Sequence, residues 1–209
     1  MTIDYLWNNG NEDDWNNQLL KYTNLVKPQN LELEKELDCL DADLVKAMPV
    51  SEFYDFLYNK YFVWKYTSPK RLLTTRRSLE QYKQDDNILE LESIQSLIFK
   101  YDLNNISNCL KNAQRIKGLG IAGASGLLSL LFPKYFGTVD QFVVKRLLEI
   151  SNLKEHEVLI RINPENISLT YGVLLIQIMR DKAAELNKCF KSDNWTPRKI
   201  DKVLWCVDR

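Results

Sequence analysis

Gly118 and Gly120, separated by one residue, are the feature that most restricts how this chain can fold, because they stand between two stretches with helical apolar spacing. Glycine lacks a Cβ and adopts left-handed backbone conformations easily, so a tight turn is predicted at Gly118-Leu119-Gly120. Such a turn exposes backbone N–H groups at the start of the next helix, where the helix dipole favours an anion. The stretch therefore predicts a helical hairpin suited to binding a phosphate.

The residues after this turn predict two further helices. An uncharged apolar helix is expected from Ala122 to Phe132, and Pro133 ends it. Thr138 is expected to cap the helix after that, with Asp140 in its first turn. One carboxylate is thereby placed near the turn that is predicted to bind a phosphate.

These elements together resemble the helix-hairpin-helix DNA glycosylase superfamily. The pattern of that family is apolar-Pro-Gly-apolar-Gly, then a helix of small residues such as Ala124, then Val-Asp-x-x-Val. Residues 116–120 meet the first part and residues 139–143 meet the last, in the same order and spacing. Two positions depart from the pattern: Lys117 stands where the family usually has proline, and Ala122 stands where its bifunctional members carry a lysine nucleophile.

The resemblance implies an all-α fold with two helical lobes around a cleft. It also implies an enzyme of monofunctional type, or a member without its chemistry, that acts on a base flipped out of duplex DNA, with Asp140 in the catalytic position. The DNA-binding residues that it implies at the hairpin are Arg115, Lys117, Gly118, Leu119, Gly120, Ile121 and Ala122. No cofactor and no catalytic metal are implied, although hairpins of this family present backbone carbonyls to a monovalent cation.

The role expected for Asp140 follows from the charge that develops in such a reaction. Breaking a glycosidic bond gives the sugar an oxocarbenium character. A carboxylate beside the sugar stabilises this cation and orients or deprotonates the attacking water. A phosphate of the same strand, bound by the N–H groups of residues 118–122, would fix the sugar in place. The alternative is that Asp140 is only an acidic residue at the start of a helix, where it interacts favourably with the dipole.

The two helices before this region supply further candidates. Residues 53–66 are the most aromatic part of the chain, and their pattern predicts a helix with aromatic residues on every side. Tyr61 and Trp64 are candidates for a pocket in which a flipped base stacks, against the simpler interpretation that they belong to the core. The next helix carries Arg76 and Arg77, which are candidates for contacts with DNA phosphates.

The charge balance favours a local basic surface. The 28 lysines and arginines equal the 28 aspartates and glutamates, so net charge gives no general argument for a polyanionic partner. Residues 60–83, however, contain seven basic side chains and one acidic one, Glu80, whereas residues 1–50 contain ten acidic and four basic side chains. This asymmetry permits a basic face on a neutral protein, with duplex DNA as the expected partner.

Several classes of site are excluded by the residue inventory. His156 is the only histidine, which argues against histidine triads and multi-histidine metal centres. The four cysteines are too scattered for a metal site or a disulfide framework, and we expect them to be reduced. No apolar run approaches the roughly 18 residues of a membrane span, so no membrane partner and a cytoplasmic location are expected.

Helical spacing along the chain predicts a single all-α unit over residues 1–209, with a possible lobe of residues 86–162 that carries the hairpin and Asp140. The remaining predicted helices cover residues 11–26, 31–48, 87–101, 103–116, 168–190 and a final helix that begins at Pro197. The only strand-like run is a short one near Val158.

Two other functions are compatible with the same residues. One is a DNA-binding protein that keeps the hairpin and lacks the reaction. The other is a helical protein-interaction domain, in which Gly118 and Gly120 only permit close packing of helices.

Overall fold

The computed structural model describes residues 1–207, and all regular secondary structure in that range is helical. The helices, in chain order, are α1 (Ile3–Asn9), α2 (Glu12–Leu25), α3 (Pro28–Asp38), α4 (Ala42–Ala47), α5 (Val50–Phe56), α6 (Phe62–Lys65), α7 (Pro69–Gln84), α8 (Ile88–Ile98), α9 (Ile106–Gln114), α10 (Ile121–Leu131), α11 (Gln141–Leu148), α12 (His156–Leu159), α13 (Leu169–Phe190) and α14 (Pro197–Cys206). A π-helical turn, Leu57–Tyr61, joins α5 to α6. The all-α prediction is confirmed, and no helix in this part of the chain is long and apolar enough to cross a membrane.

One predicted helix has the wrong bounds, and the short strand-like run near Val158 is helical. The single helix expected over residues 31–48 is broken, because the Asp41 side chain accepts hydrogen bonds from the Asp43 and Leu44 N–H groups and starts α4 as a separate helix. Val158 lies in α12 and not in a strand.

The helix α10 is the central element of the fold. All of its residues except Ala122 are buried, and it packs against α9, α13 and α14. Its uncharged sequence is therefore that of a helix surrounded by protein. The buried apolar residues of the described chain form one continuous core, which extends from Ile3 to Val207.

A buried group of charged side chains joins α3 to α14. The Arg198 guanidinium of α14 lies 3.1 Å from a Glu34 oxygen of α3 and 3.0 Å from an Asp201 oxygen. Glu34 also accepts hydrogen bonds from the Tyr22 hydroxyl at 2.6 Å and from the Trp64 indole at 2.5 Å. Buried charges need such partners, since an unpaired one is expensive to remove from water. The network fixes α14 against the helices from the first third of the chain.

Candidate nucleic-acid interface and catalytic site

The predicted glycine turn is present between α9 and α10. Gly118 has a backbone φ of +95°, a conformation that L side chains rarely adopt. The turn is closed by a hydrogen bond of 3.0 Å from the Leu119 N–H to the Ile116 carbonyl. The Tyr82 hydroxyl of α7 steadies it further, donating to the Arg115 carbonyl at 3.2 Å and accepting from the Lys117 N–H at 3.1 Å.

The two glycines have different surroundings. A Cβ on Gly118 would lie 2.9 Å from the Thr75 carbonyl oxygen and 3.2 Å from Ser78 Cβ, so this side of the turn is packed against α7. A Cβ on Gly120 would meet no atom within 4 Å. Gly120 is the exposed N-cap of α10, and no side chain caps that helix. The open side of the turn is thus the Gly120 side, where the helix begins with uncapped N–H groups.

Basic side chains lie close to this turn. Arg115 is exposed at the C-cap of α9. Lys117 is half-buried: its ammonium group lies over the Tyr82 ring, 4.6 Å from the centroid, and 3.5 Å from an Asp85 oxygen. Exposed Arg71 lies one helical turn before Thr75, on the face of α7 that packs against the glycine turn. Sequence reasoning missed Arg71, because the contact between α7 and the hairpin is tertiary.

The arginines predicted on α7 do not reach the turn. Successive residues of a helix differ by about 100° in direction, so Arg77 lies on the opposite side of α7 from Thr75. Arg76 is occupied elsewhere, because it donates to the Tyr58 carbonyl at 3.0 Å and lies over the Tyr58 ring at 4.4 Å. Arg76 and Arg77 therefore lie apart from the hairpin turn, and their predicted contacts with DNA phosphates stay a prediction.

The predicted base pocket is not formed by Tyr61. Its ring is fully buried and its hydroxyl donates to the Gly123 carbonyl of α10, so no face is open to a stacking base. Trp64 is half-buried, and the Arg198 guanidinium lies 5.1 Å from its ring centroid. Tyr61 is a core residue, and Trp64 takes part in the buried charge network.

Asp140 is itself the N-cap of α11, which corrects the predicted cap at Thr138. Its Oδ1 accepts hydrogen bonds from the Phe142 N–H at 2.9 Å and the Val143 N–H at 3.2 Å. The side chain is half-buried, and its Oδ2 makes no hydrogen bond to any described residue. One carboxylate oxygen is therefore structural, while the second is available to a ligand or water.

Thr138 has a different role, which is to fix the backbone before Asp140. Its N–H donates to Asp201 Oδ2 at 2.6 Å, and its hydroxyl lies 3.0 Å from that of Ser129. The next N–H, of Val139, donates to the Ser125 hydroxyl at 2.9 Å. Since Ser125 is one turn before Ser129, residues 138–139 run antiparallel to α10 and lead Asp140 towards the hairpin end of that helix.

Lys65, the last residue of α6, completes the surroundings of Asp140. A Cβ on Gly126 would lie 3.2 and 3.3 Å from Lys65 Cδ and Cε, so the lysine stem crosses α10 at this glycine. Burial lowers the pKa of the Lys65 ammonium group, and the Asp140 and Asp201 carboxylates oppose that shift in part. The sequence did not indicate Lys65 as a site residue. The one signal for it was Gly126 inside an apolar helix, because an isolated glycine there often has a packing reason, such as the close approach of another segment.

The geometry therefore brings together the hairpin turn, Asp140 and Lys65 on α10, and it leaves Tyr61, Arg76 and Arg77 outside this group.

Comparisons of the chain with protein-family models, with curated proteins and with solved structures gave no match.

Proposed function

We propose that this protein is a helix-hairpin-helix DNA glycosylase, which binds duplex DNA at the Gly118–Gly120 turn and uses Asp140 to hydrolyse the bond between a flipped-out base and its sugar. One observation carries the proposal: the open turn and the Asp140 segment are both attached to the same helix, α10. In the proposed fold, the cleft between two helical lobes lies at the hairpin end of this helix.

Binding is supported by the start of α10. Its uncapped N–H groups, the open space at Gly120 and the exposed Arg115 and Arg71 suit a single DNA phosphate. Few charges are involved, so we expect modest affinity that falls as salt concentration rises.

The reaction is supported by the different roles of the two carboxylate oxygens of Asp140. The hydrogen bonds to Oδ1 hold the carboxylate in one orientation, and Oδ2 is left to stabilise the cationic sugar and to orient water. The Asp201 and Ser125 hydrogen bonds to the preceding backbone add rigidity. A rigid carboxylate close to a bound phosphate is the arrangement that this hydrolysis requires.

The test compares the wild-type protein with Asp140→Asn. Asparagine is as good an N-cap as aspartate, so this variant keeps the fold and removes only the charge. Each protein is incubated with duplex DNA that carries alkylated, oxidised and deaminated bases; released bases are measured by mass spectrometry, and duplex affinity by fluorescence anisotropy. We expect base release from the wild-type protein only, with equal affinity in both.

The other outcomes contradict the proposal in different ways. Equal affinity without release from either protein would identify a non-catalytic DNA-binding protein. A wild-type protein with no affinity for duplex DNA would favour the protein-interaction domain.

A further inference from the structure

We propose that the protein forms a symmetric homodimer, in which α2 of each copy packs antiparallel to α2 of the other and covers the groove between α2 and α14. The residues of this surface are not those that the proposed DNA binding and base hydrolysis use. The inference therefore does not depend on the proposed function.

Its first support is the groove itself, which is open and has a volume of about 490 Å³. Its lining is mainly apolar and includes Leu19, Leu20 and the Tyr22 ring, whereas its two charged side chains, Lys199 and Lys202, are both basic. Leu20 is 64% exposed. A partner that covers the groove removes this apolar surface from water, which favours association.

The contacts between α2 and α14 locate the basic end of this surface. The Cys206 thiol donates to the Gln18 carbonyl oxygen at 3.1 Å. Roughly one turn earlier on α14, the Lys202 ammonium group lies over the Tyr22 ring, 4.9 Å from its centroid. Since the order of these contacts is reversed between the two helices, α14 runs antiparallel to α2. Lys199, which precedes Lys202 by almost another turn, is therefore near the C-terminal end of α2.

The opposite end of the same face is acidic. Glu12, the exposed first residue of α2, lies about three helical turns before Thr23 and on the same side of the helix, and Thr23 lines the groove. The side chains of Glu12 and Lys199 form no ion pair or hydrogen bond with any residue in the range 1–207. Lys202, in contrast, is already paired with Asp38. The groove face therefore has one unpaired acid at its first end and one unpaired base at its second.

A second copy of the chain is the partner that fits this distribution of charge. A two-fold symmetric interface uses the same surface patch twice, so the patch must be complementary to itself. When two α2 helices lie antiparallel about an axis near their middle, Glu12 of each copy lies beside Lys199 of the other, and two equal ion pairs form. Leu20 of each copy then faces the groove of the other. An unrelated acidic partner would pair with Lys199 and leave Glu12 without a cation.

The test is charge reversal, with the oligomeric state measured by sedimentation equilibrium over a range of protein concentrations. Glu12→Lys and Lys199→Glu each place like charges against one another in the dimer, whereas the double variant Glu12→Lys/Lys199→Glu restores both pairs. Leu20→Glu places a charge in the groove. Its matched control is Leu89→Glu, because Leu89 is a leucine of similar exposure, 68%, on α8.

We expect the wild-type protein, Leu89→Glu and the double variant to dimerise. In Leu20→Glu and in each single charge-reversed variant, the dissociation constant of the dimer should rise by more than about tenfold. A mixture of the two single charge-reversed variants should form a heterodimer, because both ion pairs are restored in it. Circular dichroism and thermal unfolding show that each variant is folded.

A wild-type protein that is monomeric at every concentration would overturn the inference. So would a Leu20→Glu dimer as stable as that of the wild-type protein, or a mixture of the two single charge-reversed variants that stays monomeric. A dimer that Leu89→Glu disrupts as strongly as Leu20→Glu would also overturn it, because the contact would then not be specific to the groove. None of these results changes the expected base release, so the proposed function is tested separately.

Discussion

Replacing each hairpin glycine by alanine separates the structural part of the turn from the part that is proposed to bind DNA. Gly118→Ala places a side chain at a φ of +95°, for which the left-handed strain is about 1–2 kcal/mol. The new Cβ also lies 2.9 Å from the Thr75 carbonyl oxygen, and overpacking of this kind destabilises by about 1–3 kcal/mol. The sum is a loss of roughly 2–5 kcal/mol in the free energy of unfolding.

Gly120→Ala is the matched substitution. Its φ of −89° is allowed for alanine, and the Cβ enters open space. The reduced entropy of the unfolded chain and the weaker N-cap preference of alanine act in opposite directions, so we expect a stability change within about 1 kcal/mol. The same Cβ stands beside the uncapped N–H groups of α10, and we expect duplex affinity to fall.

The assays are thermal and urea unfolding, together with binding of a fluorescent duplex. For a chain of this size each kcal/mol corresponds to about 2–4 °C, so the Tm of Gly118→Ala should fall by about 4–20 °C, while that of Gly120→Ala should hardly change. Equal losses of stability in the two variants would refute the assigned roles of the glycines. A Gly120→Ala protein with unchanged duplex affinity would refute the phosphate site.

Two further predictions concern buried charge. Arg198→Met removes the cation nearest to buried Glu34 and Asp201 and leaves Glu34 with the Lys202 ammonium group at 3.6 Å, so it should lower the free energy of urea unfolding by about 3–5 kcal/mol. Lys60→Met, at an exposed ion pair, should change it by less than about 1 kcal/mol, and similar losses in the two variants would contradict the network's role. Lys65→Met should raise stability at neutral pH, since it removes an unpaired, desolvated ammonium group. Because burial lowers the pKa of Lys65 in the folded state, the wild-type protein gains stability as pH rises from that pKa towards the unfolded value of 10.5. The difference in the free energy of unfolding between Lys65→Met and the wild-type protein should therefore narrow over that pH range. A difference that does not change with pH in urea unfolding, or a variant less stable than the wild-type protein, would contradict a desolvated Lys65 ammonium group.

The helices and the turn follow from local sequence. These signals act within a few residues, so they can be recognised without tertiary information: the apolar spacing, Pro197 at the first helical position with Thr196 as cap, and the isolated glycines. The break at Cys39–Asp41 was missed because the apolar stripe continues across it, while the Asp41 cap interrupts the backbone.

The composition of the site follows from contacts between distant segments. Lys65 and Asp201 reach the Asp140 region only because α6 and α14 pack on α10, and no local pattern contains that information. The wrong prediction for Tyr61 and the position of Arg76 away from the hairpin have the same origin. Composition showed that aromatic and basic residues were concentrated in one region, but it did not show which of them would be buried in the core or directed away from the hairpin.

The central claim, that a DNA strand bound at the hairpin places its sugar beside Asp140, is tested most directly by a crystal structure of Asp140→Asn with a duplex that contains a tetrahydrofuran abasic analogue. The account predicts a phosphate oxygen at hydrogen-bond distance from the N–H groups at the start of α10, and the analogue's sugar next to the side chain at position 140. A duplex bound on another face of the protein, or a sugar remote from that side chain, would contradict it.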